Sequence, residues 1–136
     1  MLITRRVEFS ASHICRQPDL SAEENTRIYG EAANPHGHGH NYVVEVSLEG
    51  TPDPVTGMVL DLKELKEILN REVVTPYDHR FLNYEVPPFD RLVPTTENMP
   101  SANTMSASAA SSISAATRLP LSMIVSAARH IAVPPI

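Results

Sequence analysis

The densest chemistry in this chain lies in Asn34-Pro-His-Gly-His-Gly-His40-Asn-Tyr42, where three histidines occupy alternate positions with glycines between them. In an extended backbone alternate side chains share a face, so His36, His38 and His40 could all point one way. Neutral imidazole is a good zinc ligand, and a catalytic zinc takes three protein ligands and keeps one position open. A further histidine, His13, closes the segment Phe9-Ser-Ala-Ser-His13. Two strands pairing side by side would bring that histidine to the His-x-His pair.

The elements that must position these groups follow from periodicity. Leu2–Phe9 alternates, with Ile3, Val7 and Phe9 on one face and Thr4, Arg6 and Glu8 on the other, as in a half-buried strand. Tyr42–Leu48 alternates more cleanly and predicts a second strand directly after the histidines. Gly50–Gly57, with two prolines and Asp53, predicts a turn. Asp61 followed by Glu64 has capping-box spacing, and Leu62, Leu65, Ile68, Leu69 and Val73 then recur at helical intervals. The helix is expected to run about 13 residues and stop before Pro76, because the residue ahead of a proline disfavours helical geometry. The proline-bearing stretch Tyr77–Pro94 reads as an ordered loop. Thr95 or Thr96 is the expected cap of a second helix, continuing through Met105–Ala116.

Composition bounds the function. The chain has 136 residues, a net charge of −5 and a sequence pI near 5.6. That fits one domain over residues 1–136 and argues against a charge-driven nucleic-acid binder, which needs a surplus of Lys and Arg. No apolar run has the length needed to span a bilayer and no basic-then-apolar leader opens the sequence, so no membrane partner is expected. The lone cysteine, Cys15, excludes an internal disulfide framework and makes a reducing cytoplasm the expected location. The averages hide a break. Every acidic residue, aromatic, glycine and lysine lies in residues 1–99. The tail Pro100–Ile136 holds eight serines and nine alanines, and its only charged side chains are two arginines. Met123–Val125 and Ile131–Val133 are the candidate strands of that tail, and they are expected to be short, displaced or absent. A frame-shifted reading of a GC-rich coding sequence would give such a composition.

From Leu2 to Met99 the chain resembles the 6-pyruvoyltetrahydropterin synthases and their bacterial relatives, the 6-carboxytetrahydropterin synthases of queuosine biosynthesis. The resemblance rests on the two histidine segments, on Leu20-Ser-Ala-Glu-Glu-Asn25 and Asp53-Pro-Val-Thr-Gly-Met58, and on Asp61-Leu-Lys63, Asp78-His79 and Pro94-Thr-Thr-Glu-Asn98. It implies an α+β tunnelling fold, with a four-stranded antiparallel sheet and two helices on one face. It also implies a homo-oligomer in which trimers close a barrel and stack as a hexamer. Zn²⁺ would be held by His13, His38 and His40, with His36 outside the ligand set. The implied substrate is the small molecule 7,8-dihydroneopterin triphosphate, which would lose triphosphate as its side chain rearranges or is cleaved. Asp78 and His79 would form the acid–base unit, a carboxylate orienting an imidazole. Thr95 and Thr96 match residues that line the pterin pocket, and Glu97 is the acid nearest them.

Three departures bear on activity. The family's catalytic cysteine falls at Ala32, which cannot transfer a proton; Glu31 beside it and Cys15 are the available substitutes. The family's late pterin-anchoring glutamate has no counterpart in the acid-free tail. The two closing strands of the sheet fall in that same tail. The leading expectation is a zinc-dependent synthase giving a 6-carboxy or 6-pyruvoyl product. Its rivals are a zinc-binding member without turnover and a dihydroneopterin aldolase-like enzyme of the same fold.

Overall fold

The computed structural model describes residues 1–99 and 122–131 of the chain. Strand β1, Leu2–His13, pairs antiparallel with β2, His38–Glu49, through an uninterrupted register from Leu2 opposite Glu49 to His13 opposite His38. Both strands are longer than their apolar alternation predicts. Phe9 is followed by Ser-Ala-Ser-His13, which keeps the pleat with Ala11 and His13 facing inward. On β2 the His-Gly-His residues are themselves in the strand rather than ahead of it.

Each second residue of the pair faces one side. Val7 meets Val44, Phe9 meets Tyr42, and the stripe goes on through Val46 and Leu48 into a common core. Helix α2, Leu62–Leu69, lays Leu65, Ile68 and Leu69 on that face, beside Val73, Leu82 and Phe89. Asp61 caps α2 by accepting the Lys63 N–H at 2.8 Å. The Asp53–Gly57 turn forms as expected, with the Asp53 carboxylate accepting the N–H groups of Val55 and Thr56.

The helix does not stop before Pro76. The chain passes through a wide turn of π type, Asn70–Val74, and on into the helical turn Thr75–Tyr77. The N–H of Thr75 reaches back five residues to Asn70, so the ladder is already loosened where Pro76 would meet the carbonyl of the preceding turn. Helix α1, Ala22–Tyr29, was not foreseen by periodicity. Ser21 and Glu24 close a complete capping box at its start, with bonds of 3.2 and 2.9 Å. Strand β3, Arg80–Phe81, pairs parallel with Ala11 and Ser12 of β1.

The tail corrects one expectation. Ser122–Ile131 form a single ten-residue strand, β4, antiparallel to β2 with an irregularity between Val43 and Glu45. The open edge of β2 offers backbone donors and acceptors whatever the side chains are, so pairing needs less from the sequence than a buried face does. The sheet order is β3-β1-β2-β4, within an α+β architecture. The expected second helix over Met105–Ala116 lies outside the described residues.

Leu65 is fully buried against the sheet, whereas Leu62, one helical turn earlier, is half exposed. Leu65→Ala is therefore expected to cost about 2–5 kcal/mol of stability and Leu62→Ala less than about 1 kcal/mol, read from urea denaturation midpoints. Equal effects would show that α2 does not pack as described.

Candidate metal centre and acid–base pair

The inward stripe of β1 and β2 changes chemistry at one end. Where it leaves the core, the inward positions are His13 on β1 and His38 and His40 on β2. The register sets His13 directly opposite His38 and Ala11 opposite His40. The small Ala11 leaves room for the His40 ring to lean toward the other two. Ring centroids are 4.5 Å apart for His13 and His38, 5.0 Å for His13 and His40, and 4.6 Å for His38 and His40. One nitrogen from each ring lies within 4.8 Å of the others, close enough to share one metal ion.

The donor set fits zinc. His13 is 5% exposed, and its Nδ1 lies 2.7 Å from the Pro94 carbonyl oxygen. A carbonyl only accepts, so Nδ1 carries the proton and the lone pair of the neutral ring is on Nε2. A ligand histidine held by a backbone carbonyl through its other nitrogen is the usual outer arrangement of a metal site. His40 is followed along the strand by Tyr42, whose ring meets it edge-on at 6.0 Å and stacks on Phe9 at 5.0 Å. Burial, with the nearby Cys15 thiol adding to it, pushes the Tyr42 phenol up to about 12.

His36 does not join the group. Gly37 has φ +72, so the extended run that would align three histidines is broken and His36 stands exposed. A side chain at position 37 would also come within 3.0 Å of the Phe81 ring, which fills the space above it. Glycine is required there twice over.

Asp78 and His79 follow the wide turn. The Asp78 carboxylate accepts the Ser10 N–H at 3.0 Å, and the His79 N–H donates to the Ser10 carbonyl at 2.6 Å. His79 Nδ1 lies 2.9 Å from the second Asp78 oxygen, so the pair does touch. His79 has φ +57, uncommon for a residue with a side chain, and its imidazole is 84% exposed. His79 and His40 line the same shallow cavity of about 350 Å³.

The other expected residues are less closely gathered. Glu31 is exposed on the tight turn Gly30–Ala33 and, among the described residues, is not part of the histidine group. The Ala32 carbonyl accepts the Cys15 N–H at 2.9 Å, which brings the two candidate thiol positions side by side. Burial pushes the Cys15 thiol up. Thr95 is half-buried, while Thr96 and Glu97 are exposed. The carboxyl of Glu97 is held below the usual range by its own backbone N–H and by the Thr95 hydroxyl. The Pro94 carbonyl leaves no signal in the sequence, because a main-chain acceptor is common to every residue.

Comparison with known proteins bears on this geometry. A family model described as 6-pyruvoyl tetrahydropterin synthase matches residues 2–123, which carries the likeness past the compositional break. A 6-pyruvoyl tetrahydrobiopterin synthase of Poecilia reticulata is 50% identical over 97 residues, covering 71% of this chain and 66% of its own. The Homo sapiens protein of the same name is 46% identical over 97 residues, covering 71% and 67%. The chain thus spans about two thirds of the length of these curated relatives. The solved structure of Caenorhabditis elegans 6-pyruvoyl tetrahydropterin synthase superposes with a TM-score of 0.73 at 39% identity, covering 82% of this chain and 77% of that one. No helix among the described residues is long and apolar enough to cross a membrane.

The Ser10 N–H is the main reason that the Asp78 carboxyl titrates below its ordinary range, with His79 adding to it. A depressed carboxyl contributes stability above its unfolded pKa and loses it as pH falls through the folded value. The stability lead of the wild type over Asp78→Asn is expected to be full above the ordinary carboxylate range and to shrink as pH falls through and below it. Denaturant titrations at the two ends measure it, and a lead that is independent of pH would contradict the Ser10 contact.

Proposed function

We propose that this chain, which belongs to the 6-pyruvoyl tetrahydropterin synthase family, is a zinc-dependent pterin synthase. Its reaction is conversion of 7,8-dihydroneopterin triphosphate to a 6-substituted tetrahydropterin with loss of triphosphate. The observation that carries the reading is the trio of imidazoles, which the β1–β2 register gathers within reach of one ion.

In this reading His13, through Nε2, and His38 and His40 hold the metal. When bound, zinc supplies Lewis-acid polarisation of the substrate's side-chain hydroxyls. His79 takes and returns a proton at the reacting side chain, and Asp78 orients its ring through Nδ1, leaving Nε2 for the substrate. Glu97, kept ionised, accepts hydrogen bonds from the amino edge of the pterin, with Thr95 and Thr96 beside it. Glu31 is a weaker candidate for a second proton carrier. The 6-pyruvoyl product is favoured over the 6-carboxy one by the names of the Poecilia reticulata and Homo sapiens relatives, 50% and 46% identical to the chain. A homo-oligomer, trimer or hexamer, suits the sheet: among the described residues β3 pairs with β1 at Ala11 and Ser12, and the outer edge of Leu2–Ser10 has no strand beside it there, so it offers a strand-pairing surface to a neighbouring subunit. A cytoplasmic location accords with a single cysteine.

One observation favours a second reading, in which the chain binds zinc without turnover, whether as a pseudoenzyme or as a frame-shifted product. Alanine at position 32 replaces the expected thiol.

Incubation with the triphosphate, with zinc or with a chelator, followed by mass analysis of the products separates the two. A pterin product that disappears with chelator supports the synthase; stoichiometric zinc with no consumption supports the second reading. His38→Ala is expected to abolish zinc retention and His36→Ala to leave it intact. Equal loss from both would mean that the ligand set is wrong. His79→Ala should keep its zinc and lose about 10²–10⁴-fold in rate; an unchanged rate removes His79 from the reaction.

A further inference from the structure

The turn that follows Pro94 is tied to the histidine group by one buried bond and to itself by several. Pro94 is fully buried, and its carbonyl oxygen accepts His13 Nδ1–H at 2.7 Å. The neighbouring carbonyl, that of Val93, accepts from the Thr95 N–H at 2.8 Å and from the Asn98 side-chain amide at 3.0 Å. The Thr95 carbonyl in turn accepts the N–H groups of Asn98 at 3.1 Å and Met99 at 2.7 Å. Met99 anchors the far end in the core, at 1% exposure. The peptide that orients His13 is therefore fixed on one side by Asn98, whose own bonds run to Val93 and Thr95 within the turn.

We infer that Asn98 is a positioning residue for the metal, and that metal binding and the Val93–Met99 turn stabilise each other. The inference rests on His13, His38 and His40 being the metal site. Its physical basis is the shared imidazole. A cation on Nε2 withdraws electron density from the ring and makes Nδ1–H a stronger donor. The bond to the Pro94 carbonyl then becomes charge-assisted, hence shorter and stronger than its neutral counterpart. Whatever strengthens that bond holds the Pro94 peptide in place, and with it the turn that carries Thr95 and Glu97. Coupling of two binding equilibria is reciprocal, so a turn loosened at Asn98 must weaken the metal by the same factor that the metal tightens the turn. Metal loading would thus pre-form the edge of the site on which Thr95 and Glu97 stand.

Two measurements on the full chain test this. Zinc affinity, by competition with a chelator of known strength, is compared for the wild type, Asn98→Ala and Asn98→Gln, with the zinc-free melting temperature of each. Asn98→Ala is expected to bind zinc roughly tenfold more weakly, at the lower end of the effect of an outer-shell partner. Its zinc-free melting temperature should be nearly unchanged, and Asn98→Gln, which keeps the donor, should recover part of the affinity. A merely structural role would lower the zinc-free melting temperature and leave affinity alone. Hydrogen exchange of the wild type is then followed with and without zinc. The amides of Thr95, Asn98 and Met99 should slow on zinc addition while those of Asp53 and Gly57, in the remote turn, do not. Zinc affinity in Asn98→Ala within twofold of wild type, or exchange at 95, 98 and 99 indifferent to zinc, overturns the inference and leaves the metal site standing. A wild type that binds no zinc removes the site and the inference together.

Discussion

Everything at the candidate site depends on the register of one antiparallel strand pair. Side chains alternate across a sheet with period two, so a slip of one residue between β1 and β2 would turn a whole set to the other face. The register is held by apolar pairs far from the histidines, Val7 with Val44 and Phe9 with Tyr42, whose burial fixes which face is inward. His13, His38 and His40 then face inward without any interaction of their own having to enforce it. The core and the histidine group are one stripe of side chains that changes from hydrocarbon to imidazole along its length. The change comes past the Phe9–Tyr42 pair, where the Pro94 carbonyl reaches His13.

The Asp78–His79 pair hangs from the same strand by a different device. Asp78 and His79 reach the backbone of Ser10, which gives both its N–H and its carbonyl to them. Ser10 lies three residues before His13, so the two anchor points are separated by roughly 10 Å of strand. That spacing is rigid because it is a length of paired β-structure, and it suits a substrate that spans both groups rather than direct contact between them. The wide turn Asn70–Val74 and the left-handed backbone at His79 are the local irregularities that let a helix ending near Tyr77 deliver its next residues to that point. Phe81, two residues further on, covers Gly37, so the segment carrying the pair also closes over the histidine loop.

The legible parts of this arrangement were those in which periodicity and chemistry coincide. The alternation of Tyr42–Leu48, the cap at Asp61 and the stripe on α2 each bury a face, and burial leaves a pattern in residue types. The spacing of His38 and His40 showed a shared face for the same reason. Less legible was what depends on single backbone angles. The positive φ of Gly37 removes His36 from the group, although spacing alone aligns it with the other two. The π turn and Pro76 could not be told from an ordinary helix end, because helical periodicity survives one widened turn. The capping box Ser21-x-x-Glu24 is present in the sequence, but α1 buries only Asn25 and has almost no apolar stripe to mark it as a helix. Strand β4 leaves little trace in the sequence because edge pairing rests on the main chain, which composition does not record.

The same distinction between main chain and side chain explains how the site can keep its metal-binding geometry with alanine at position 32. The loop between α1 and β2 is held to the end of β1 by the bond from the Cys15 N–H to the Ala32 carbonyl, and the loop after β1 by Asn25 and Asn83, whose side-chain amides each bind backbone groups. None of these bonds involves the side chain at 32. A change of residue type there therefore costs the fold little, while it removes any proton-carrying group that would act from that position. The histidines, by contrast, are placed by the register of the strand pair, and His13 also by the Pro94 carbonyl. The gathering of the three histidines and the residue type at position 32 thus rest on separate features of the fold, and the first does not depend on the second.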